Sequence, residues 1–225
     1  MKKTIPIIFV AVMLLAGCGD STSIEREVPS VSTESPEVSE IEEVTEEIIP
    51  TERVRDIESI EDFEYEILDG GVTITKYTGN STDVVIPDTI EGVPVTKIGF
   101  LSFEAKFDIV SITLPETTEV ICEGAFMDCS SMQSINIPES VTSIERSAFA
   151  ACTSLESLII PTFVKSIEME AFTACESMTS LIIYNSSLKY NDWGLESLPN
   201  VTVYANADSD VYKWASESNI NVLAL

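Results

Sequence analysis

A 23-residue period dominates the second half of the chain. It reads DIVSITLPETTEVICEGAFMDCS over residues 108–130, then SMQSINIPESVTSIERSAFAACT over 131–153 and SLESLIIPTFVKSIEMEAFTACE over 154–176, with SMTSLIIYNSS opening a fourth unit at 177. The columns agree in chemistry. Ile109, Met132, Leu155 and Met178 fill one apolar slot, Ile112, Ile135, Leu158 and Leu181 a second, and Leu114, Ile137, Ile160 and Ile183 a third. Pro115, Pro138 and Pro161 end the segment; Ile121, Ile144 and Ile167 follow, and then an Ala-Phe pair and a cysteine. Apolar residues at i, i+3 and i+5 fit neither a helical stripe nor plain alternation. They fit L-x-x-L-x-L, a loop residue pointing inward ahead of a short strand. One such unit cannot bury its apolar side, whereas stacked units form a parallel sheet over a continuous core. The expected fold is an α/β to mostly β repeat solenoid, a right-handed coil with short parallel strands.

The run L-x-x-L-x-I-P, then V-x-x-I, then A-F-x-x-C resembles the BspA-like leucine-rich-repeat family of bacterial surface proteins. An upstream segment fits the same frame: Val84-Val85-Ile86-Pro87 is a strand end, Glu91-Gly92-Val93-Pro94-Val95 resembles a first-repeat insert, and Ile98 and Phe103 keep the phase. The resemblance covers residues 63–225 and implies a non-catalytic binding module, with adhesion among the family's roles.

The ends read as caps, without which a solenoid would leave sheet edges and core bare. FEYEILDGGVTITKY, residues 63–77, alternates around Asp69-Gly70-Gly71, a hairpin signal. Toward the other end, Leu198, Val201 and Val203 are spaced as one last L-x-x-L-x-L strand. DVYKWASES, residues 210–218, reads as a helix behind the N-cap Ser209, and INVLAL, residues 220–225, as a final strand.

Ahead of the repeats the composition changes twice. Lys2 and Lys3 precede an apolar run, IPIIFVAVMLL at 5–15, too short to span a bilayer comfortably and typical of a signal peptide. Leu15-Ala16-Gly17-Cys18 follows and resembles the bacterial lipobox, which implies cleavage before Cys18 and lipidation of its thiol. The competing reading is an ordinary signal peptide with an incidental cysteine. Residues 19–62 hold 15 acids, three arginines and no aromatic residue. So little apolar surface cannot offset chain entropy, so a disordered acidic tether is expected, extended by its own charge.

Charge and composition exclude several functions. The net charge is −26 and histidine is absent. Such a chain is repelled by nucleic-acid phosphate, and histidine-based nucleophile pairs and metal sites cannot be built. No catalytic constellation emerges, and neither a cofactor nor a metal is expected. Ser186-Ser187-Leu188-Lys189 matches S-x-x-K but lacks the companion motifs of that chemistry. Asn206, Asp208, Asp210 and Glu217 fall at calcium-loop positions, yet Val211 stands where glycine is required and the stretch reads as a capped helix. Cys129, Cys152 and Cys175 recur at 23 residues, so stacking holds them parallel, about 4.8 Å apart. A disulfide needs converging Cβ atoms near about 3.8 Å, so buried thiols are expected. Cys122 aligns with Glu145 and Glu168 and is expected to be partly exposed.

What remains is surface. Outward positions of the strands form three columns: Ser111, Ser134, Ser157 and Ser180; Thr113, Asn136, Ile159 and Ile182; and Pro115, Pro138, Pro161 and Tyr184. The serines are expected to bond along the ladder. Apolar residues gathered on an outward face suggest an interaction patch, so Ile159, Ile182 and Tyr184, with Asn136 and Thr113, are the candidate partner-binding residues. The competing reading is that a loop or the C-terminal cap covers them. From Phe63 onward 23 acids stand against seven bases, which favours a basic partner. The expectation is an outward-facing bacterial lipoprotein, monomeric, anchored to the membrane through Cys18 and holding an extracellular protein or glycan. The alternative is a spacer of the cell envelope without a dedicated ligand.

Overall fold

The computed structural model describes residues 59–225. The expected signal peptide, the candidate lipidation site Cys18 and nearly all of the expected tether lie outside the described residues. A 3-10 turn, Ile60–Asp62, leads into the first strand.

Fourteen short strands and one helix follow. In chain order they are β1 Phe63–Leu68, β2 Gly71–Tyr77, β3 Asp83–Val85, β4 Thr89–Ile90, β5 Val93–Ile98, β6 Ser111–Thr113 and β7 Val120–Ile121. Then come β8 Ser134–Ile135, β9 Ser143–Ile144, β10 Ser157–Ile160, β11 Ser166–Ile167, β12 Ser180–Ile183, β13 Thr202–Ala205, α1 Asp210–Glu217 and β14 Asn221–Ala224. Each of the three complete 23-residue units therefore contributes two strands. The L-x-x-L-x-L segments form two parallel stacks, β3-β6-β8 and β10-β12-β13-β14, interrupted between β8 and β10. The V-x-x-I segments build another ladder, β1-β2-β5-β7-β9-β11, which is parallel after the antiparallel β1–β2 pair. This ladder was not foreseen in the sequence, because a two-residue strand has no periodicity of its own.

Between the ladders, the Ala-Phe-x-x-Cys segment turns the corner, using two left-handed residues per coil. Leu101 and Ala105, Gly124 and Asp128, Ser147 and Ala151, and Glu170 and Ala174 all have φ between 50° and 61°. Only one of the eight is glycine, so seven side chains occupy a region that costs an L-residue roughly 1–2 kcal/mol. Inter-coil hydrogen bonds offset this: Phe126 N donates to Ala148 O, Asp128 N to Ala150 O, Phe149 N to Ala171 O and Ala151 N to Thr173 O.

The phenylalanines stack into a buried file along the solenoid. Phe63, Tyr77, Phe103, Phe126, Phe149, Phe172 and Trp193 follow one another at centroid distances of 5.2, 5.3, 5.3, 5.5, 6.0 and 6.5 Å. Trp193 ends the file edge-on, its indole N–H donating to Ile167 O at 2.9 Å.

The caps are as expected in kind. The β1–β2 hairpin turns through Asp69 (φ 54°) and Gly70 (φ 81°), both left-handed as a two-residue loop requires. Ser209 caps α1 by accepting from Tyr212 N at 3.1 Å, so the calcium-like residues serve a helix start. Tyr190 stacks on Trp214 of α1 at 3.4 Å and hydrogen-bonds Glu196, clasping the helix to the last coil.

Two expectations need correction. Pro115, Pro138 and Pro161 are buried rather than outward. Each opens a turn whose carbonyl accepts from the residue three places on, and the ring folds inward with the corner. The last coil is also displaced by two residues. Leu181 pairs with Val203 and Ile183 with Ala205, so Leu198 and Val201 are buried in the preceding turn and not in strand slots. A two-residue shift preserves which side chains face inward, which is why the wrong register looked right.

Candidate partner-binding face

The outward column of the L-x-x-L-x-L stacks changes character along the solenoid. Val85 pairs with Thr113 on β3 and β6, and Asn136 comes next after β8. Asn136 is occupied in the scaffold: its Oδ1 accepts from Leu114 N at 2.7 Å and its Nδ2 donates to Leu114 O at 3.2 Å. It replaces a backbone rung where β8 stops. Thr113 is half-buried beside it.

Beyond the interruption the column turns apolar. Ile159, Ile182, Tyr204 and Leu223 stand in register on four adjacent strands. At about 4.8 Å per strand they form a row roughly 14 Å long. Ile159 is 51% exposed and Leu223 53%, and Tyr184 and Leu225, immediately after the ends of β12 and β14, are 52% and 56% exposed. Helix α1 buries Val211 and Ala215, while in the outer row Ile182 and Tyr204 are half-buried and the two ends stay open. A polar row, Ser157, Ser180, Thr202 and Asn221, runs parallel to it on the same strands. Apolar contact area beside aligned hydroxyls and an amide is the make-up of a recognition surface.

The structure thus gathers Ile159, Ile182 and Tyr184 and separates them from Thr113 and Asn136. Sequence reasoning missed Tyr204, Leu223 and Leu225. Alternation in TVYA and NVLA carried the signal, but the two-residue register error hid which column Tyr204 joins. The serine file is looser than expected: Ser111 Oγ donates to Asp83, and the serine pair bonded across a ladder is Ser143 with Ser166, on the other side of the coil.

The cysteine file is core. Cys129, Cys152 and Cys175 are buried, and their thiols donate to Phe103 O, Phe126 O and Phe149 O at 3.1, 3.2 and 3.1 Å. Each thiol thus adds a second hydrogen bond to a carbonyl of the preceding corner that already accepts from the backbone N–H of Lys106, Cys129 or Cys152. Burial pushes Cys129 and Cys175 up to about 12 and Cys152 well above its ordinary value. Cys122 is half-buried and is raised to about 11 by desolvation and by Glu145. These thiols stay protonated at neutral pH, and the thiolate is the nucleophile and the metal ligand.

The sign of the alkaline response follows. The native pKa values lie above that of an exposed thiol, so the stability from these groups is complete below about pH 9 and falls as pH rises toward about 12. Urea midpoints should fall between pH 8 and pH 10.5, and less so in Cys152→Ala. Iodoacetamide at pH 8 should spare Cys129, Cys152 and Cys175 in the native domain and label them in urea. Labelling at equal rates in both states would contradict the buried file.

Six copies of the BspA-type leucine-rich-repeat region match residues 96–212, more than half of the chain. The chain belongs to the BspA-type leucine-rich-repeat family. No curated protein matches the chain. Among solved structures, a leucine-rich-repeat protein of T. pallidum is similar at 24% identity over 67% of this chain and 76% of its own, with a TM-score of 0.63. One from Bacteroides capillosus is 28% identical, covering 56% of this chain and 96% of its own at a TM-score of 0.50. The pneumococcal vaccine antigen PcpA is 18% identical over 76% of this chain and 49% of its own, with a TM-score of 0.54. The BspA-type unit accounts for the 23-residue coil and its paired strands. No helix among the described residues is long and apolar enough to cross a membrane.

Proposed function

We propose that this BspA-type protein is a non-catalytic, lipid-anchored surface protein that holds a macromolecular partner on the outer face of β10, β12, β13 and β14. The apolar row Ile159–Ile182–Tyr204–Leu223, half-buried at its middle and more than half exposed at both ends, carries the reading. Open apolar area of this kind costs solubility unless it is used, and Tyr184 and Tyr204 offer the rigid amphipathic rings common in recognition surfaces. Family membership and the Leu15-Ala16-Gly17-Cys18 stretch support the surface location.

Two measurements test it. Ile159→Lys combined with Tyr184→Lys, both more than half exposed, should abolish capture of proteins from host-cell and cell-envelope extracts while shifting unfolding by less than about 0.5 kcal/mol, as exposed sites do. An unchanged captured set would sink the face. In cells, Cys18→Ser should move the protein out of the membrane fraction, because stable anchoring needs the acyl chains. Retention of that variant in membranes would refute the lipid anchor.

A further inference from the structure

We propose that the free edge of β14 is a strand-addition site, at which an extended, basic segment of a partner protein becomes the next rung of the sheet. The proposal rests on the sheet-face reading above and names the class of partner.

β14 is the last strand of β10-β12-β13-β14. Leu225 N donates to Ala205 O, which turns the backbone groups of Leu223 and Leu225 toward β13. In a parallel ladder alternate residues bond opposite sides, so the N–H and C=O groups of Val222 and Ala224 face away from the sheet. The side chains are equally unfinished. Ile160, Ile183 and Ala205 are buried, yet Ala224, the next member of that inward column, is exposed. Leu223 ends the outward row more than half exposed. Among the described residues, β14 has no strand beside its outer edge, and both its inward and its outward side chains are left without the next member of their columns.

Edge composition separates this end from the other. Proteins blunt unused edges with charge or proline. At the other end of the solenoid the two ladders start on strands of different sheets, and both are charged: β1 (FEYEIL) carries Glu64 and Glu66, and β3 (DVV) carries Asp83. β14 (NVLA) carries neither a charge nor a proline. A blunted edge at one end and a bare one at the other fits an edge kept for pairing, the mode in which main-chain bonds give affinity and alternate side chains give specificity.

Charge selects the occupant. The domain from Phe63 holds 23 acids and seven bases, and Asp208, Asp210 and Glu217 lie in the cap that leads into β14, against Lys213. A second copy would bring two such surfaces together. A basic strand would be steered in and would extend the apolar row beyond Leu223 with its own alternate side chains.

The test uses octapeptides of alternating valine and lysine, titrated into the full chain by calorimetry. A 1:1 complex that weakens with added salt is expected, and the valine–glutamate counterpart should not bind. Methylating the backbone nitrogens of alternate residues should cost at least tenfold in affinity for one set of positions and little for the other, because only one side of an added strand bonds β14. Ala224→Pro removes an outward N–H and should abolish peptide binding with an unchanged unfolding midpoint. Equal binding by the two methylated peptides, native-like binding by Ala224→Pro, or a peptide-independent dimer in sedimentation that this variant disrupts would each overturn strand addition. Partner capture lost in Ile159→Lys but kept in Ala224→Pro would overturn it too while leaving the sheet-face reading standing. Loss in Ala224→Pro alone would leave strand addition standing without the face.

Discussion

Phe149→Ala is expected to destabilise the domain by about 3–5 kcal/mol, the usual cost of deleting a fully enclosed aromatic ring. The ring has no exposed surface and lies between Phe126 at 5.5 Å and Phe172 at 6.0 Å, in stacked geometry on both sides. Its loss opens a cavity that rigid coils cannot close, because each corner is held to its neighbours by backbone hydrogen bonds. Coupling between stacked repeats acts between nearest neighbours, so an interior rung takes two interfaces with it. Phe63→Ala, at the end of the file with a single aromatic neighbour, should cost clearly less. Urea unfolding of both variants from the same background gives the comparison. Equal losses would mean that the file is not the cooperative element of the fold. Domain stabilities of about 5–15 kcal/mol leave little room for the interior change, so Phe149→Ala should be largely unfolded well below the native midpoint.

Gly194→Ala is the second large effect, at about 3 kcal/mol. Gly194 has a φ of 85°, which an alanine holds only at a cost of roughly 1–2 kcal/mol. A Cβ there would also strike Thr173: the hydroxyl directly, and the backbone Cα at 2.9 Å. The hydroxyl can rotate away, whereas the Cα sits in a corner fixed by Thr173 N bonding Glu170 O and Thr173 O accepting from Ala151 N. Overpacking of that kind adds about 1–3 kcal/mol. The position matters because Gly194 follows Trp193, where the chain leaves the repeat and starts the cap. Gly70→Ala is the control, since its φ is similar at 81° but nothing lies within 4 Å of the added carbon. If the two variants melt together, backbone strain alone governs the site and the close approach to Thr173 is immaterial.

The repeat made the solenoid legible because stacking forces chemically matched residues into columns, and columns survive in a one-dimensional sequence. Ile109, Ile112, Leu114, Phe126 and Cys129 could be placed inward from spacing alone, and all are buried. The hairpin at Asp69-Gly70 and the cap at Ser209 were legible for a local reason: a left-handed turn and a helix N-terminus each demand particular residues in place. Where the period failed, so did the reading. Between Ile183 and Thr202 a tryptophan takes the phenylalanine slot and a 3-10 turn, Leu195–Ser197, resets the spacing, which moved the last strand by two residues.

The candidate face lay partly beyond reach for the same reason. Ile159 and Ile182 are visible as apolar departures in the column of Thr113 and Asn136, Tyr184 as the residue that breaks the proline column, and Asn136 looked like their neighbour. Only tertiary structure could show Asn136 occupied by Leu114, and Tyr204 and Leu223 completing the row. The sequence by itself determined the coil, its buried rungs and the acidic charge of the domain, since each is a property of composition or period. The tertiary structure decided which outward residues stand side by side, because lateral register is set by the length of each corner between strands, and a corner carries no period once its own repeat is broken.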